Sequence, residues 1–290
     1  MVYDVIVVGK GPAGITASIY AARGNLKTLV IGEGYGDLIK AKEIENYYGF
    51  EKAISGKDLL DRGINQAKNL GVEIVEDEVV GISYDTEFIL KIVKDEYKTK
   101  SIVLATGAKR GSSKIKGIEE YEGKGISYCA ICDGFFFRGK DVAVLGNGEY
   151  ALSEVLELVP IVNNVTILTN GLEAKETRHP KISVNSKKIR EFRGDTDKLS
   201  SVEFEDDTSM DIAGIFIAEG TAASTDLAKK IGAEINGRFI KVDENMKTNI
   251  PGIFACGDCT GGLSQITKAV YEGTKAGLSA IEFVKKINHI

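Results

Sequence analysis

Residues 5–31 read VIVVGKGPAGITASIYAARGNLKTLVI and decide the fold of this chain. The apolar run at 5–8 is typical of a buried parallel strand. A Gly-x-Gly-x-x-Gly turn starts at residue 9, residues 15–23 have helical spacing, and residues 28–31 form a second apolar run. This order of strand, glycine turn, helix and strand is the one that a dinucleotide-binding fold requires.

Each glycine of this turn has its own task. Gly9 permits the tight turn, Gly11 lets the backbone approach a pyrophosphate, and Gly14 lets the helix pack close to the sheet. The unpaired N–H groups at the start of the helix then bind the phosphates. The acidic residue expected about 20 positions further on is displaced, because Gly32 takes the usual place and Glu33 follows it. Glu33 therefore either binds a ribose hydroxyl or is a solvated loop glutamate.

Two later apolar strands resemble further parts of the same nucleotide site. One ends at Thr106-Gly107 and the other at Gly257-Asp258. The Thr-Gly end allows the backbone to come close to a ligand. Asp258 either accepts hydrogen bonds from the ribityl chain of a flavin or caps the next helix. Because the two segments belong to one site, the chain must leave a flavin-binding domain and later return to it.

Between these two segments lies the stretch Cys129-Ala130-Ile131-Cys132-Asp133-Gly134. A Cys-x-x-Cys pair can cycle between dithiol and disulfide, because two intervening residues let the sulfurs approach. The alternative is half of a zinc site, which needs about four ligands. For that purpose the chain offers only His179, His289 and a second cysteine pair. The pattern therefore favours redox chemistry and predicts no metal site.

A second glycine turn follows the cysteine pair. Gly146, Gly148 and Ala151 form a Gly-x-Gly-x-x-Ala pattern after an apolar strand at 142–145 and before a helix at 152–158. The predicted fold class is therefore α/β, with two Rossmann-like, three-layer nucleotide-binding domains, the second inserted in the first.

Composition narrows the possible partners and compartment. The chain has 290 residues, 43% of them apolar and 27% charged, with a net charge of -5. It has no long basic run, so we expect neither nucleic acid nor a membrane as a partner. No signal peptide or membrane-spanning apolar run is found. Four cysteines without a secretion signal favour a reducing cytoplasm and catalytic use of at least one pair.

These motifs together resemble the low-molecular-weight thioredoxin reductases. The matching elements are Gly9-x-Gly11-Pro12-Ala13-Gly14, Glu43-Ile44-Glu45-Asn46-Tyr47, Ala105-Thr106-Gly107-Ala108, Cys129-Ala130-Ile131-Cys132-Asp133-Gly134 and Gly257-Asp258. They cover nearly the whole chain in the family's order. The resemblance implies an FAD-binding domain at 1–113 plus 245–290 and an NAD(P)-type domain at 114–244 that carries the cysteine pair. It also implies a homodimer that acts on a thioredoxin- or glutaredoxin-like protein.

The resemblance also assigns roles to individual residues. Cys132 would be the sulfur next to the flavin, Cys129 the thiol that attacks the partner's disulfide, and Asp133 the acid/base. The expected FAD contacts are Gly9, Gly11, Pro12, Ala13, Gly14, Glu33, Asp37, Asn46, Val79, Thr106, Gly107, Gly257, Asp258, Gln265 and Ile266. Gln265 would hydrogen-bond the flavin ring although Ser264 replaces the family's usual arginine beside it.

The resemblance breaks down at the nicotinamide nucleotide site. Members that use NADPH have a His-Arg-Arg-x-x-x-Arg cluster, whose guanidinium groups hold the 2′-phosphate. Here the corresponding stretch, 169–175, reads TNGLEAK. Gly146, Gly148 and Ala151 are therefore either nicotinamide-site residues or a means of packing helix against sheet. Between 175 and 202 apolar periodicity is weak, which leaves no room for a second full crossover helix.

A positive stretch lies in the same region. Its residues are Arg178, Lys181, Lys187, Lys188, Arg190 and Arg193. It either binds a phosphate or an acidic electron-donor protein, or it is a solvated face.

Two functions remain open at this point. The first is an FAD-dependent disulfide reductase whose electron donor is NADH or a protein such as reduced ferredoxin. The second is a flavin-binding redox sensor or regulator without reductase turnover. Cys256 and Cys259 leave a separate choice, between two buried thiols and an auxiliary disulfide around Asp258.

Overall fold

The computed structural model describes residues 2–93, 95–107, 115–175, 177–220, 224–237 and 239–288. The chain divides into two compact units. The first unit is Met1–Lys109 with Ala223–Ile290, and the second is Arg110–Ala222. Both contain parallel sheets with helices, which confirms the predicted α/β class.

The elements are numbered in chain order. Among the described residues the helices are α1 (Pro12–Arg23), α2 (Gly56–Asn69), α3 (Ala130–Asp133), α4 (Glu149–Leu158), α5 (Ser224–Lys230) and α6 (Ile266–Asn288). The strands are β1 (Val2–Val8), β2 (Thr28–Ile31), β3 (Glu73–Val75), β4 (Val79–Tyr84), β5 (Phe88–Ile92), β6 (Glu96–Leu104), β7 (Ile126–Ser127), β8 (Asp141–Leu145), β9 (Asn164–Leu168), β10 (Ile182–Asn185), β11 (Ile189–Gly194), β12 (Leu199–Phe204), β13 (Ser209–Asp211), β14 (Ile215–Ile217), β15 (Ile235–Asn236), β16 (Phe239–Ile240) and β17 (Ile253–Ala255). None of the helices in the described ranges is long and apolar enough to cross a bilayer.

The sheet of the first unit is organised around β6. Strands β3, β2, β1 and β6 are parallel neighbours in that order. The carboxyl half of β6 also pairs in parallel with β17, whereas its amino half pairs with the antiparallel hairpin β5–β4. The carboxyl ends of β2, β1, β6 and β17 therefore meet at one edge, which is where open α/β sheets bind ligands.

Helix α1 is held between this sheet and α6. A Cβ added at Gly273 would lie 2.3 Å from the carbonyl oxygen of Ala13, and one added at Gly277 would lie 2.7 Å from that of Ala17. Only glycine allows the two helices to approach so closely. This packing brings the start of α6 to the same side of the unit as the glycine turn.

The second unit contains a five-stranded parallel sheet in the order β10-β9-β8-β14-β7 and an antiparallel meander of β11, β12 and β13. Helix α4 follows β8, as the second glycine turn predicts. Strand β9 leads to β10 without a helix among the described residues of the connection. The second unit therefore has the trimmed form that weak periodicity after residue 175 predicts.

The chain returns from the second unit to the first earlier than at the predicted boundary, 244/245. Residues 224–237 and 239–244 lie in the first unit, and not in the inserted one. The reason is local packing: Lys230 of α5 donates to the carbonyl oxygen of Val80 at 3.0 Å, and Asn249 donates to that of Gly232 at 3.1 Å. The first predicted boundary, at 113/114, lies outside the described residues.

Candidate active site

The first glycine turn leaves a cradle at the start of α1. A Cβ at Gly9 would lie 2.4 Å from the carbonyl oxygen of Ala105, and one at Gly14 would lie 2.0 Å from that of Gly9. At Gly11, by contrast, an added Cβ meets nothing within 4 Å. Gly11 is the N-cap of α1 and offers no side chain to the helix N–H groups. This open space beside a helix N-terminus fits the pyrophosphate of a dinucleotide.

The other strand ends converge on the same cradle. The close approach of Gly9 to Ala105 brings the loop of Thr106 and Gly107 beside the glycine turn. Gly257 comes as near, since its added Cβ would lie 2.9 Å from the Cβ of Ala13. Gly257 has a φ of +84°, which favours glycine.

Asp258 directly follows this contact. It is half-buried and opens the 3-10 turn Asp258–Thr260, whose N-cap is Gly257. Asp258 is therefore not a helix N-cap. The other alternative, that its carboxylate accepts hydrogen bonds from the ribityl chain of the flavin, stays a prediction.

Two expected FAD contacts on distant segments lie together. The amide nitrogen of Asn46 is 3.4 Å from the amide oxygen of Gln265, although the residues are 219 positions apart. Both side chains are exposed. Ile266 is the first residue of α6, directly after Gln265.

The remaining predicted contacts are placed as follows. Glu33 is exposed after β2, which leaves both interpretations of it open. Asp37 opens the 3-10 turn Asp37–Lys40. Val79 is buried as the first residue of β4. Pro12 and Ala13 form the first turn of α1.

A largely buried ion pair between Lys268 and Glu272, which sequence reasoning missed, fixes the turn around Asp258. The Glu272 carboxylate accepts from the backbone N–H of Gly257 at 2.8 Å and from the Thr260 hydroxyl at 2.9 Å. Lys268 lies 3.0 Å from the same oxygen and donates to the carbonyl oxygen of Gly257 at 2.8 Å. In the sequence, Lys268 and Glu272 have only the four-residue spacing of an ordinary ion pair on a helix surface. Their contacts with the backbone of Gly257 are seen only in the folded chain.

Lys10 is a second missed residue, inside the first glycine turn itself. Its side chain is buried, and its ammonium pairs with Glu76, which directly follows β3. A Cβ at Gly32 would lie 3.1 Å from the backbone nitrogen of Lys10, so this pair lies beside the predicted ribose end of the cradle. The sequence feature that could have indicated this residue is the unusual position of a lysine between Gly9 and Gly11.

In the second unit, Cys129 and Cys132 form a disulfide. Cys129 is the N-cap of α3, and its sulfur accepts a hydrogen bond from the backbone N–H of Cys132 at 3.2 Å. Cys129 is buried and Cys132 is exposed. A hydrogen-bond donor at a helix start favours the thiolate form of a cysteine.

Ser127 connects this disulfide to Asp133, and sequence reasoning missed it. The Ser127 hydroxyl donates to the Asp133 carboxylate at 2.7 Å and accepts from the backbone N–H of Cys129 at 3.1 Å. The predicted acid/base is therefore held on the same turn as the sulfur it would serve.

The second glycine turn is used for packing at its first position. A Cβ at Gly146 would lie 2.1 Å from the carbonyl oxygen of Ala218 and 2.8 Å from the Cβ of Ala151. At Gly148 the nearest atom would be the carbonyl oxygen of Gly220, at 3.6 Å. Gly146 and Ala151 thus fit the packing interpretation.

The loop after β9, where the family's arginines would lie, binds back onto its own unit. The Asn170 side chain accepts from the backbone N–H of Ile189 at 2.9 Å. Asn147, within the glycine turn, donates to the carbonyl oxygen of Glu173 at 3.2 Å. Lys175 pairs with Glu149, the first residue of α4. The one cation of the loop is therefore already neutralised at the mouth of the turn.

Most cations of the positive stretch are likewise engaged. Arg190 pairs with Glu203 and Asp207, Lys187 with Asp206, and Arg193 with Glu191. Hydrogen bonds from Lys116 and then Arg193 lower the pKa of Glu191 to about 2. Lys181 donates to the backbone oxygens of Val159 and Val162. These contacts favour the solvated-face interpretation.

Cys256 and Cys259 are buried thiols that are not joined in a disulfide. Cys259 donates to the carbonyl oxygens of Cys256 at 3.2 Å and Leu104 at 3.5 Å. Burial raises the pKa of Cys256 well above its ordinary value. This arrangement favours the interpretation as packed thiols. Within the described ranges, no three His, Cys, Asp or Glu side chains are grouped to hold a metal ion.

Comparison with known proteins agrees with this geometry. The profile of the pyridine nucleotide-disulphide oxidoreductase family matches residues 3–273. The thioredoxin reductase of Listeria innocua is 34% identical, covering 99% of this chain and 95% of that protein. The atypical thioredoxin reductase TRi from Desulfovibrio vulgaris Hildenborough is 40% identical with a TM-score of 0.92, over 98% of each chain. A ferredoxin-flavin thioredoxin reductase from Clostridium acetobutylicum is 28% identical with a TM-score of 0.73, over 100% of this chain and 99% of that one.

The chain belongs to the pyridine nucleotide-disulphide oxidoreductase family, which confirms the resemblance to thioredoxin reductases. It is a flavoprotein oxidoreductase, and FAD is its cofactor. The cradle at Gly11 fits that group.

Proposed function

Because the chain belongs to this family, we propose that it reduces the disulfide of a thioredoxin- or glutaredoxin-like protein and that NADPH is not its electron donor. The Cys129–Cys132 disulfide, on a turn that also holds Asp133, carries the proposal. FAD, when bound, supplies the two-electron relay between the donor and this disulfide.

The cysteine chemistry follows from the redox turn. Two electrons and two protons convert the disulfide into the thiols of Cys129 and Cys132. The Cys129 thiolate, favoured by the N–H of Cys132, attacks one sulfur of the partner's disulfide, and the other partner sulfur leaves as a thiolate. Asp133 takes up the proton that Cys129 loses and passes it to that thiolate. Cys132 then attacks the Cys129 sulfur of the mixed disulfide, which re-forms the internal disulfide; the second partner sulfur leaves as a thiolate and takes the proton of Cys132, so that the partner is released as a dithiol.

The loop at 169–175 supports a donor other than NADPH. It has no arginine for a 2′-phosphate, and its only cation is paired with Glu149. Its polar side chains are bound to its own unit through Asn170 and Asn147. NADH and reduced ferredoxin remain as donors, and the similarity to a ferredoxin-flavin thioredoxin reductase favours ferredoxin.

An anaerobic titration of the FAD-loaded protein with NADPH, NADH and reduced ferredoxin tests this proposal. We expect reduced ferredoxin or NADH to bleach the flavin, and NADPH not to. The wild type should take up two electron pairs per chain, one for the flavin and one for the disulfide. The Cys129→Ser variant should take up one. Bleaching by stoichiometric NADPH would contradict the donor proposal, and silence with all three donors would favour the redox sensor.

We further propose a cytoplasmic homodimer, as the family resemblance implies. Cys256 and Cys259 are not joined in a disulfide, which is compatible with a reducing compartment. Light scattering of the FAD-loaded protein measures its mass. A mass near twice the 31.3 kDa of one chain supports the dimer, and the mass of a single chain argues against it.

A further inference from the structure

The side chain of Lys10 covers the end of strand β2. A Cβ added at Gly32, the residue that follows β2, would lie 3.1 Å from the backbone nitrogen of Lys10 and 3.3 Å from its Cγ. Lys10 is only 6% exposed, although a lysine is rarely buried without a partner. An acidic side chain at position 32, where a dinucleotide-binding fold usually has one, would therefore crowd Lys10.

Glu76 offers a carboxylate at the same edge of the sheet, one strand further on. Ile31 and Val75, the last residues of β2 and β3, are paired, and the backbone N–H of Gly32 donates to the carbonyl oxygen of Val75 at 3.1 Å. Glu76 therefore follows β3 as Gly32 follows β2, and neighbouring strands lie only about 4.8 Å apart. The carboxylate thus comes from the strand next to the one that usually supplies the ribose-binding acid.

An ion pair with Lys10 holds this carboxylate in place. The Lys10 ammonium pairs with one oxygen of Glu76 and lies 5.5 Å from the centre of the Tyr35 ring. The Glu76 side chain is 63% exposed, so a ligand can reach it. A carboxylate has two acceptor oxygens, and Glu76 can therefore accept from a hydroxyl while it stays paired. The positive charge of Lys10 also offsets the repulsion between Glu76 and a nearby diphosphate.

We propose that Glu76, positioned by Lys10, binds the ribose hydroxyls in the adenosine half of FAD. It replaces the acidic residue that is absent at Gly32, and Glu33 is then a solvated loop glutamate. The inference concerns only how the cofactor is held. It therefore goes beyond the proposed reductase function and does not depend on the electron donor.

The test compares ADP with 2′-deoxy-ADP as competitors of FAD. ADP carries the adenosine and the diphosphate of the cofactor, and its 2′-deoxy form lacks one of the hydroxyls that the carboxylate would bind. The full-length FAD-free protein is titrated with FAD in the presence of each competitor, and flavin fluorescence gives the dissociation constants. The wild type should prefer ADP about tenfold, as one hydrogen bond to a charged group implies.

Three variants locate this preference at the ion pair. Glu76→Ala should reduce it to within about twofold, and Lys10→Met should lower it because Glu76 loses its anchor. The double variant Lys10→Met/Glu76→Ala should match Glu76→Ala, and it leaves no buried ammonium unpaired. Glu96→Ala removes an exposed carboxylate at the amino end of β6, at the opposite edge of the sheet, and should keep the wild-type preference. Circular dichroism verifies that each variant is folded.

The outcomes separate Glu76 from the alternatives. If Glu76→Ala and the double variant keep the wild-type preference for ADP, Glu76 does not bind the ribose and the inference is wrong. Loss of the preference in Glu33→Ala alone would assign the ribose to Glu33 instead. A wild type that binds both competitors equally, or neither of them, would also overturn the inference. An unchanged preference in Lys10→Met would contradict the positioning of Glu76 by Lys10.

These titrations involve no electron transfer. Their failure therefore leaves the reduction of a thioredoxin-like protein untouched, and a failure of that proposed function leaves the binding of the ribose untouched.

Discussion

Ser127 binds two groups of the redox turn with one hydroxyl. It donates to the Asp133 carboxylate and accepts from the backbone N–H of Cys129. The acid/base and the sulfur therefore keep a fixed relation to each other. Neither contact could be predicted from the sequence. The Cys-x-x-Cys-Asp motif does not include Ser127, and the direction of its hydroxyl depends on how the turn folds.

Replacing Ser127 with alanine should slow the reduction of thioredoxin without unfolding the protein. Asp133 loses its hydrogen bond, and the buried N–H of Cys129 loses its acceptor. Loss of a hydrogen bond to a charged group costs about 1.5 kcal/mol, so kcat should fall roughly tenfold. Steady-state kinetics measure the effect, with the exposed Ser200→Ala as control. An unchanged kcat would show that Ser127 does not position Asp133.

The buried thiols should behave differently from the redox pair. The pKa of Cys256 is raised by burial, so at neutral pH iodoacetamide should modify the exposed Cys132 of the reduced protein but not Cys256. Unfolding should expose all four cysteines to the reagent. Peptide mass spectrometry identifies the modified residues. Rapid modification of Cys256 in the native protein would contradict the burial of this thiol.

The same shift has a consequence for stability. The unfolded thiol ionises near 9.0 while the folded one stays protonated, so the unfolded state binds fewer protons at high pH. Cys256 should therefore reduce the free energy of unfolding as the pH rises above 9, and Cys256→Ala should weaken that dependence. Denaturant unfolding at several pH values measures it. The same decline in the variant would exclude Cys256 as its cause.

At the scale of elements, the two glycine turns are alike in sequence and differ in use. Each is followed by a helix without a side-chain cap. The first leaves open space at Gly11, whereas the loop after β9 binds back beside the second through Asn147 and Lys175. The same motif thus leaves open space at a helix start in one unit and is flanked by a loop of its own unit in the other.

Replacing one glycine of each turn with alanine should show which of the two turns binds FAD. Gly11→Ala should weaken FAD binding roughly tenfold or more, because its Cβ enters the space that a pyrophosphate needs. Gly148→Ala, the matched change in the second turn, should leave FAD binding unchanged. Titration of the FAD-free proteins with FAD, followed by flavin fluorescence, measures both. Equal affinities for Gly11→Ala and wild type would argue against the cradle.

The elements were predictable where apolar residues run together. Strand β2 has its predicted bounds, 28–31, because it is buried on both faces. Helix α4 starts at Glu149, three residues before the predicted 152, since the Gly148 cap and not apolar spacing sets its start. Strand β6 starts at Glu96 and not at 102, because its amino half pairs with a half-exposed hairpin and alternates in burial.

At the scale of the whole molecule, the proposed FAD cradle is assembled from distant parts of the chain. The glycine turn, the loop after β6 and the turn around Gly257 meet because β1, β6 and β17 are neighbours in one sheet. The motifs predicted this meeting, since each follows an apolar strand. The contacts of Glu272 were beyond prediction, because its partners Gly257 and Thr260 come from a turn that only folding brings near.

Because the cradle spans both ends of the chain, FAD should stabilise the protein as a whole. At one hundred times its dissociation constant, a ligand that binds only the folded state adds about 2.7 kcal/mol to the free energy of unfolding. Thermal unfolding with and without FAD measures the gain as a higher Tm. Gly11→Ala should lose most of this gain. A Tm that saturating FAD leaves unchanged would contradict the assembled site.

The most direct test of the central claim is anaerobic reduction of thioredoxin by the FAD-loaded protein, followed as the appearance of thioredoxin thiols. We expect repeated turnover with reduced ferredoxin or NADH, none above background with NADPH, and none with the Cys129→Ser variant. Rapid turnover with NADPH would contradict the claim that another donor supplies the electrons. Turnover by the Cys129→Ser variant would contradict the claim that the electrons pass through the Cys129–Cys132 disulfide.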